Sequence, residues 1–392
     1  MTVKITKPQI NVREELNDLK KPTGIAGEAM LRAETPQEQQ ALVGVGRKNL
    51  IINGANQVSQ RGTVAGVSIA TNTYGGPDRR NLYVNHPGES VFTLSQQASG
   101  PGEFNHSFRI DCTTAGATLT SGQEIKSEHP IEAYDVSRVG FGTPYAKPLT
   151  VSFWVKSNQA KDYVLWMYRP DGTRHNSKVY TIHSSDTWEF KTLTFNPDTS
   201  NTVAYDNTVG LYVSFILNAG PFYTSGTSPN GTWQNIVSAN RYAGLTATIG
   251  TSTSDYFECT GLQVETGKVA TPFEHRSYGE ELALCQRYFE KIGGNAVYER
   301  LAVGFIRSGG NSTRTPLFFK VPKRAAPTIT ASGSLQIEDG SGTQIPSNVG
   351  FGDQAINSAA MNLTVSGRTA GSGVLVTPAG TASAYIHIDA EL

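Results

Sequence analysis

The segment LTVSFWVKS, residues 149–157, alternates between apolar and polar side chains over most of its length. Its apolar positions are Leu149, Val151, Phe153 and Val155. The positions between and beyond them are Thr150, Ser152, Trp154 and Lys156. Because successive side chains of a β-strand point to opposite faces of the sheet, this pattern predicts a strand with one buried face.

Segments of similar length continue on the C-terminal side of this strand. They are DYVLWMYR, KVYTIH, TWEFKTLTF, VGLYVSFIL and DYFECTGLQVE. Turn-forming sequences lie between them: RPDG at 169–172, NPDTSN at 196–201 and SPNG at 228–231. Many short strands without intervening helices are typical of antiparallel sandwiches and jelly rolls. We therefore predict a jelly-roll β-sandwich over residues 49–276.

A helix is predicted directly after the sandwich, over residues 277–293. Ser277 and Glu280 form a capping box, and the pair Gly293-Gly294 ends the helical pattern. The apolar residues of this segment form one wide face: Leu282, Leu284, Cys285, Tyr288, Phe289 and Ile292. A face of that width must pack on another element. Residues 294–392 then return to strand-like segments such as PLFFKVP, MNLTVSG and ASAYIHIDAEL, which predict a C-terminal β domain.

The first 48 residues differ from the rest in charge, since 14 of them are Lys, Arg, Asp or Glu. Two short helices are predicted here, one in NVREELNDLK and one in ETPQEQQALVGVG. Each is too short to be stable alone in water. We interpret residues 1–48 as an attachment arm that orders on a partner, although it could instead fold back on its own sandwich. The apolar edges expected to anchor it contain Leu16, Leu19, Met30, Leu31, Leu42 and Val43.

The predicted fold class is therefore mainly β, with a short N-terminal helical arm, an antiparallel sandwich, one connecting helix and a C-terminal β domain. The formal net charge is zero and the sequence pI is about 7.1, so neither nucleic acid nor an anionic membrane is expected as a partner. Three widely spaced cysteines suit a reducing cytoplasm better than a disulfide framework. The first residues lack the apolar core of a signal peptide, and no apolar run is long enough to span a membrane.

Catalytic and metal-binding motifs are not found in the sequence. There is no GxSxG elbow, P-loop or HExxH motif, and the seven histidines do not have the spacing of metal ligands. We therefore expect no enzymatic activity, no cofactor and no metal. A catalytic pair of glycosidase carboxylates stays possible among the dispersed Asp and Glu residues, because the distance between two such carboxylates in space cannot be read from the sequence.

Aromatic residues give the best candidates for a binding site. A sugar ring packs its C–H face on an aromatic side chain while polar neighbours take its hydroxyl groups. Trp154 lies on the polar face of its strand, and Trp166 and Tyr168 share a face of the next. The loop-like segment 222–242 contains the candidates that we favour: Phe222, Tyr223, Trp233, Asn235, Arg241 and Tyr242. The alternative for each aromatic residue is packing in the core or in an interface.

Several stretches resemble virion structural and tail fibre proteins of tailed bacteriophages, of the type common among phages of marine bacteria and cyanobacteria. The longest is GLQVETGKVATPFEHRSYGEELALCQRYFEK at 261–291. Shorter ones are NLIINGANQVSQRGT at 49–63, SFWVKS at 152–157 and KVPKRAAPTIT at 320–330. In that family, a jelly roll similar to a carbohydrate-binding module precedes the strand-loop-helix segment. Such proteins have no agreed catalytic residues, and none are carried over.

The resemblance implies a homotrimeric fibre or spike of a virion, assembled in the host cytoplasm and joined to other virion proteins through the arm. Its first implied function is a receptor-binding adhesin that recognises host surface polysaccharide. A second is a structural decoration of the capsid or neck, and a third is a polysaccharide depolymerase. In a trimer, Phe289 and Ile292 would either lie in a shared interface or fill the seam between modules.

Overall fold

The alternating segments form two antiparallel sheets in a computed structural model that describes residues 47–68, 71–86, 89–380 and 384–392. Sheet A contains six strands in this order: β1 (Val64–Val67), β4 (Val91–Gln97), β5 (Ser107–Thr114), β13 (Tyr256–Thr266), β7 (Leu149–Ser157) and β10 (Glu189–Phe195). Sheet B contains seven: β12 (Gln234–Asn235), β9 (Arg174–Thr181), β8 (Asp162–Arg169), β11 (Val209–Ala219), β6 (Glu124–Glu132), β3 (Asn81–Asn85) and β2 (Asn72–Tyr74).

The inner faces of sheets A and B meet in one hydrophobic core. Phe153 of β7 packs edge-on against Tyr180 of β9 at 5.1 Å and against Phe215 of β11 at 4.9 Å between ring centroids. Apolar positions of LTVSFWVKS point into this core, as the alternation predicts. Its polar positions Thr150 and Ser152 are also buried. Thr150 Oγ1 donates to the carbonyl of Gly267, which satisfies that hydroxyl away from water.

Within the residues that the structure describes, helical segments are few and short. In the sandwich they are α1 (Ala133–Val136), α2 (Pro221–Thr224) and two 3₁₀ turns at Ser137–Val139 and Ser238–Asn240. The third helix, α3 (Tyr278–Gln286), follows the sandwich. Within the part of the chain that the structure describes, no helix has the length and apolarity needed to cross a membrane. The mainly-β, sandwich-like fold class is thus confirmed.

Helix α3 is shorter than the predicted helix over 277–293. Its start is as predicted, because Ser277 Oγ accepts a hydrogen bond from the backbone N–H of Glu280 at 3.3 Å. It ends at Gln286, and Phe289–Gly293 form strand β14 instead. Pairing of β14 with the strand Tyr385–Asp389 supplies backbone partners that a helix would not need, and this tertiary contact overrides the local helical pattern.

The predicted apolar face of the helix is consequently divided between two clusters. Cys285 and Tyr288 are buried with Ile52 and Val58 of the sandwich. Ile292 packs against the core of the C-terminal sheets. The apolar residues expected to form one helix face therefore pack in two separate hydrophobic clusters of this chain.

The C-terminal segment forms two further antiparallel sheets. Sheet C has three strands in this order: β14 (Phe289–Gly293), β23 (Tyr385–Asp389) and β17 (Thr328–Ser332). Sheet D has seven: β19 (Gly342–Gln344), β18 (Leu335–Asp339), β22 (Gly373–Pro378), β15 (Ala302–Ile306), β16 (Thr313–Phe318), β21 (Ser358–Thr364) and β20 (Asn348–Gly352). Ile386 and Ile388 of sheet C share a core with Met361 and Val376 of sheet D.

Buried charges connect the sandwich with the C-terminal strands. Arg79 is almost completely buried, forms an ion pair with Glu391 and donates to the carbonyl of Pro130 at 2.6 Å. The guanidinium of Arg79 also lies 3.7 Å from the ring centroid of Tyr288. Arg61 pairs with the same Glu391 at 3.1 Å. These contacts tie three distant parts of the sequence to one another.

The chain divides into two compact units, Leu50–Ala270 with His275–Leu392, and Met1–Asn49 with Thr271–Glu274. In the described part of the smaller unit, Glu274 accepts hydrogen bonds from the backbone N–H groups of Lys48 and Asn49. The predicted attachment arm lies outside the described residues, apart from its last two positions. Its anchor candidates lie outside them too: Leu16, Leu19, Met30, Leu31, Leu42 and Val43.

Candidate functional site

Trp233, the central residue of the predicted binding segment, is part of the sandwich core. Its side chain is 6% exposed, and its Nε1 donates to the carbonyl of Asn196 at 2.9 Å. The indole meets the ring of Phe141 edge-on at 5.3 Å. The structure thus places Trp233 at a core position, which is the alternative that the sequence leaves open for each aromatic residue.

The other predicted residues divide between buried and exposed positions. Tyr242 is fully buried and its hydroxyl donates to Glu124 at 2.5 Å. Burial, and after it the carboxylate of Glu124, raises the pKa of Tyr242 well above its ordinary value. Phe222 is 52% exposed and lies 5.1 Å from Tyr223. Asn235 is exposed on β12 and accepts a hydrogen bond from Arg174 at 3.0 Å.

The structure therefore brings together only part of the predicted set. Tyr223 lies 5.4 Å from Tyr242 between ring centroids, and the guanidinium of Arg241 lies 5.2 Å from the Tyr223 ring. Trp233 instead lies near Arg169 and Phe141. What the three residues Tyr223, Arg241 and Tyr242 share is contact with the outer surface of sheet B.

The outer surface of sheet B carries a continuous set of aromatic and charged side chains. Strand register places Trp166 opposite Ser214, and Ser214 opposite Glu128. Two positions along, Tyr168 lies opposite Tyr212. We call this surface the tyrosine face and define it by Tyr83, Lys126, Glu128, Trp166, Tyr168, Tyr212, Ser214, Tyr223 and Arg241.

Three rings of the tyrosine face stack in a row. Trp166 and Tyr168 are 5.2 Å apart at an interplanar angle of 5°, and Tyr168 and Tyr212 are 6.1 Å apart at 19°. Trp166 is 3% exposed, whereas both tyrosines are half-buried. Trp166 is therefore the buried end of the row, and the two tyrosines offer apolar ring surface together with a hydroxyl group.

A neutral histidine fixes the orientation of the buried indole. Trp166 Nε1 donates to His175 Nδ1 at 3.2 Å. Burial, helped by the cations of Arg241 and Arg174, lowers the pKa of His175 to about 4. The imidazole is consequently neutral near pH 7 and keeps an unprotonated nitrogen for this bond. This hydrogen bond fixes the ring of Trp166, which in turn orders the adjacent ring of Tyr168.

The charged groups of the tyrosine face are arranged around one ammonium. Lys126 Nζ lies 3.0 Å from Glu128 and 3.5 Å from Glu124. Burial alone would lower the pKa of Lys126, but the Tyr242 hydroxyl and the two carboxylates raise it well above its ordinary value. Glu128 Oε1 also accepts from Ser214 at 3.2 Å. Its Oε2 accepts no hydrogen bond from the described residues, so it can take a ligand hydroxyl.

Sequence reasoning identifies part of this surface and misses the rest. Alternation assigns Trp166 and Tyr168 to one face of a strand, but nothing in the sequence analysis points to Tyr212, Lys126 or Glu128. A usable signal is present for the last two, because EIKSEHPIE places charged side chains at alternate positions of one strand. Trp154, the other aromatic candidate, lies on the outside of sheet A, 5.4 Å from the half-exposed Phe190.

No protein-family model matches the chain, and no curated protein matches its sequence. Among solved structures, it is similar to the enzymatically active domain of tailspike protein 4 of bacteriophage CBA120, at a TM-score of 0.31, 11% identity and 56% coverage of this chain. The chain spans 21% of the length of that tailspike domain.

Two carbohydrate-binding modules are similar at the same level. One is the family 11 module of a cellulosomal cellulase of Clostridium thermocellum, with a TM-score of 0.27, 14% identity, and coverage of 53% of this chain and 100% of the module. The other is a xylan-binding domain of Paenibacillus barcinonensis, with a TM-score of 0.25, 10% identity, and coverage of 57% and 99%. Likeness at these scores carries no argument about what this chain binds.

Proposed function

We propose that this chain is a carbohydrate-binding protein and that sugar binds on the tyrosine face. The observation that supports this most directly is the pair of half-buried rings, Tyr168 and Tyr212, beside the unused Oε2 of Glu128. A sugar ring packs its apolar face on such rings, and its hydroxyl groups bond to a carboxylate that has acceptor capacity left.

Rigidity of the surface favours this role. The rings stand on β8 and β11, which pair in register over five residues in the middle of sheet B. The loop segment 220–249 covers one end of the outer surface, where Tyr242 packs with Val164 and Ile216. Side chains that are already ordered lose little conformational entropy when a ligand binds.

The test is a double variant, Tyr168→Ala with Tyr212→Ala, applied to an array of bacterial surface polysaccharides. We expect the parent to bind, and the variant to bind about thirtyfold more weakly or worse, because loss of an aromatic anchor at a hot spot costs about 2 kcal/mol. Tyr145→Ala is the matched control, since Tyr145 is 83% exposed. Equal binding by the double variant, or no binding by the parent, would refute the proposal.

We further propose that binding occurs without cleavage of the polysaccharide. Both oxygens of Glu124 have partners, Tyr242 and Lys126, so this carboxylate is held in a structural network. The measurement is the release of reducing ends from a bound polysaccharide over several hours. New reducing ends that disappear in a Glu128→Gln variant would instead identify a depolymerase.

In the organism, the proposed role is that of a receptor-binding adhesin of a tailed phage, a homotrimeric fibre or spike that recognises host surface polysaccharide. The support is the resemblance of residues 261–291 and the shorter stretches to virion proteins. Residues 1–48 are the proposed attachment arm to other virion proteins. Labelling of intact particles for electron microscopy tests this role: label at the tail fits an adhesin, and label on the capsid or neck fits a decoration protein.

A further inference from the structure

Arg241 stands at the edge of the tyrosine face in a fixed position. It directly follows the 3₁₀ turn Ser238–Asn240, and its backbone N–H bonds to the carbonyl of Ser238 at 3.2 Å. Its guanidinium carbon lies 5.2 Å from the ring centroid of Tyr223 and 5.8 Å from that of Trp166. Cations are attracted to the faces of aromatic rings, so these two rings hold the planar group in place.

The guanidinium of Arg241 has no polar partner within the described residues. No carboxylate of the described chain forms an ion pair with it, and its Nε is buried without a hydrogen-bond acceptor. Two other arginines show the paired arrangement: Arg174 of the sandwich bonds Asp198 through Nε at 2.8 Å, and Arg287, which follows helix α3, bonds Glu132 through two nitrogens at 2.7 and 2.8 Å.

The acidic groups nearby do not need Arg241. Glu124 and Glu128 share the ammonium of Lys126 and take further bonds from the hydroxyls of Tyr242 and Ser214. A half-buried cation without a counter-charge is unfavourable, whereas a carboxylate that binds it in two parallel hydrogen bonds is strongly favourable. The unused donors of Arg241 thus form the anion-accepting end of the tyrosine face.

We propose that the sugar bound on the tyrosine face is anionic, a uronic acid or another carboxylated sugar whose carboxylate is bound by Arg241. This inference rests on the proposed function. The carboxylate lies against the guanidinium beside Tyr223, and the hydroxyl groups of the glycan face Glu128 and the half-buried tyrosines Tyr168 and Tyr212. Arginine suits this role better than lysine because its rigid fork matches the two oxygens of a carboxylate.

The experiment measures binding to three immobilised uronic-acid polymers, alginate, polygalacturonate and hyaluronan, and to the same polymers after chemical reduction of their carboxyl groups. We expect binding to at least one acidic polymer and a loss of about tenfold or more when its carboxyl groups are reduced. Arg241→Gln loses affinity for the acidic polymer by a similar factor and does not distinguish it from the reduced one. Arg241→Lys retains part of the affinity.

Controls separate charge at this position from charge in general. Arg307→Gln removes the same charge from an exposed position between β15 and β16 and leaves binding unchanged. Binding of the parent weakens when ionic strength rises from about 0.05 to about 0.5 M, because salt screens the ion pair. Dextran sulfate distinguishes a carboxylate from another anion, and preference for it over all three acidic polymers contradicts the proposal.

Failure of the inference and failure of the proposed function give different results. If the reduced polymers bind as well as the acidic ones, or Arg241→Gln behaves like Arg307→Gln, the ligand is neutral and the inference falls. In that case Tyr212→Ala still reduces binding, and carbohydrate binding on the tyrosine face stands. If no acidic or neutral polysaccharide binds the parent, both proposals fall together.

Discussion

Trp233 is fixed in the sandwich core by its hydrogen bond to Asn196 and its edge-on contact with Phe141. Replacement by alanine would leave a large cavity and an unbonded carbonyl. We expect Trp233→Ala to lower the free energy of unfolding by about 3–5 kcal/mol, measured by urea denaturation. Phe222→Ala is the control, because its ring is 52% exposed, and it should cost less than about 1 kcal/mol. Similar costs for the two variants would show that Trp233 is not a core residue.

A comparison of Trp233 with Trp166 and Tyr168 shows which candidate binding residues can be located from the sequence. Trp166 and Tyr168 occupy a regular strand, where alternation alone assigns their side chains to one face of the sheet. Trp233 lies in a segment without hydrophobic periodicity, so the local sequence does not indicate whether its side chain is buried. Its burial depends on Phe141 and Asn196, which are distant in sequence. The pairing of Lys126 with Glu128 lies along one strand and is accessible to such reasoning. The contact of Tyr242 with Glu124 is not, because it joins residues more than a hundred positions apart.

Helix α3 depends on its N-terminal cap for part of its stability. Ser277 Oγ satisfies the backbone N–H of Glu280, one of the free donors at a helix start. We expect Ser277→Ala to lower the free energy of unfolding by about 0.5–1 kcal/mol, and Ser277→Asp to retain nearly the parent value. Urea denaturation of the three proteins checks this. If alanine and aspartate behave alike, the cap contributes nothing measurable.

At the level of elements, the start of α3 could be predicted and its end could not. A capping box is a local signal of four residues. The segment Phe289–Gly293 does not alternate between apolar and polar residues, and its apolar positions Phe289 and Ile292 have helical spacing, so the local sequence favours a helix. The choice is made by β23, a strand near residue 387 that the sequence does not identify as a partner. Long-range pairing of this kind is where predictions from one sequence fail most often.

Glu391 links the sandwich to the C-terminal sheets through Arg79 and Arg61. Loss of its carboxylate leaves Arg79 buried without a counter-charge. We expect Glu391→Ala to lower the free energy of unfolding by about 3–5 kcal/mol. Asp353→Ala is the control, since Asp353 is 68% exposed and pairs with Arg314 at the surface, where a salt bridge is worth about 1 kcal/mol or less. Equal effects of the two variants in urea denaturation would contradict a coupling role for Glu391.

For the whole molecule, the sequence is sufficient to predict the mainly-β, sandwich-like fold class. It is not sufficient to predict how the sandwich is connected to the C-terminal strands. Arg79 and Glu391 are separated by 312 positions, and neither belongs to a recognisable motif. Nothing in their neighbourhoods distinguishes them from surface charges before the fold brings them together.

The position of β23 between β14 and β17 has a consequence for biosynthesis. A ribosome adds about 5–20 residues per second, and roughly ninety residues separate Gly293 from Tyr385, so β14 emerges on the order of ten seconds before its partner. During that interval β14 and β17 have unpaired edges that can join other nascent chains. Strand β23 is therefore the one that completes sheet C, and a ribosome that stalls before residue 385 would release a protein in which β14 and β17 both lack their partner strand.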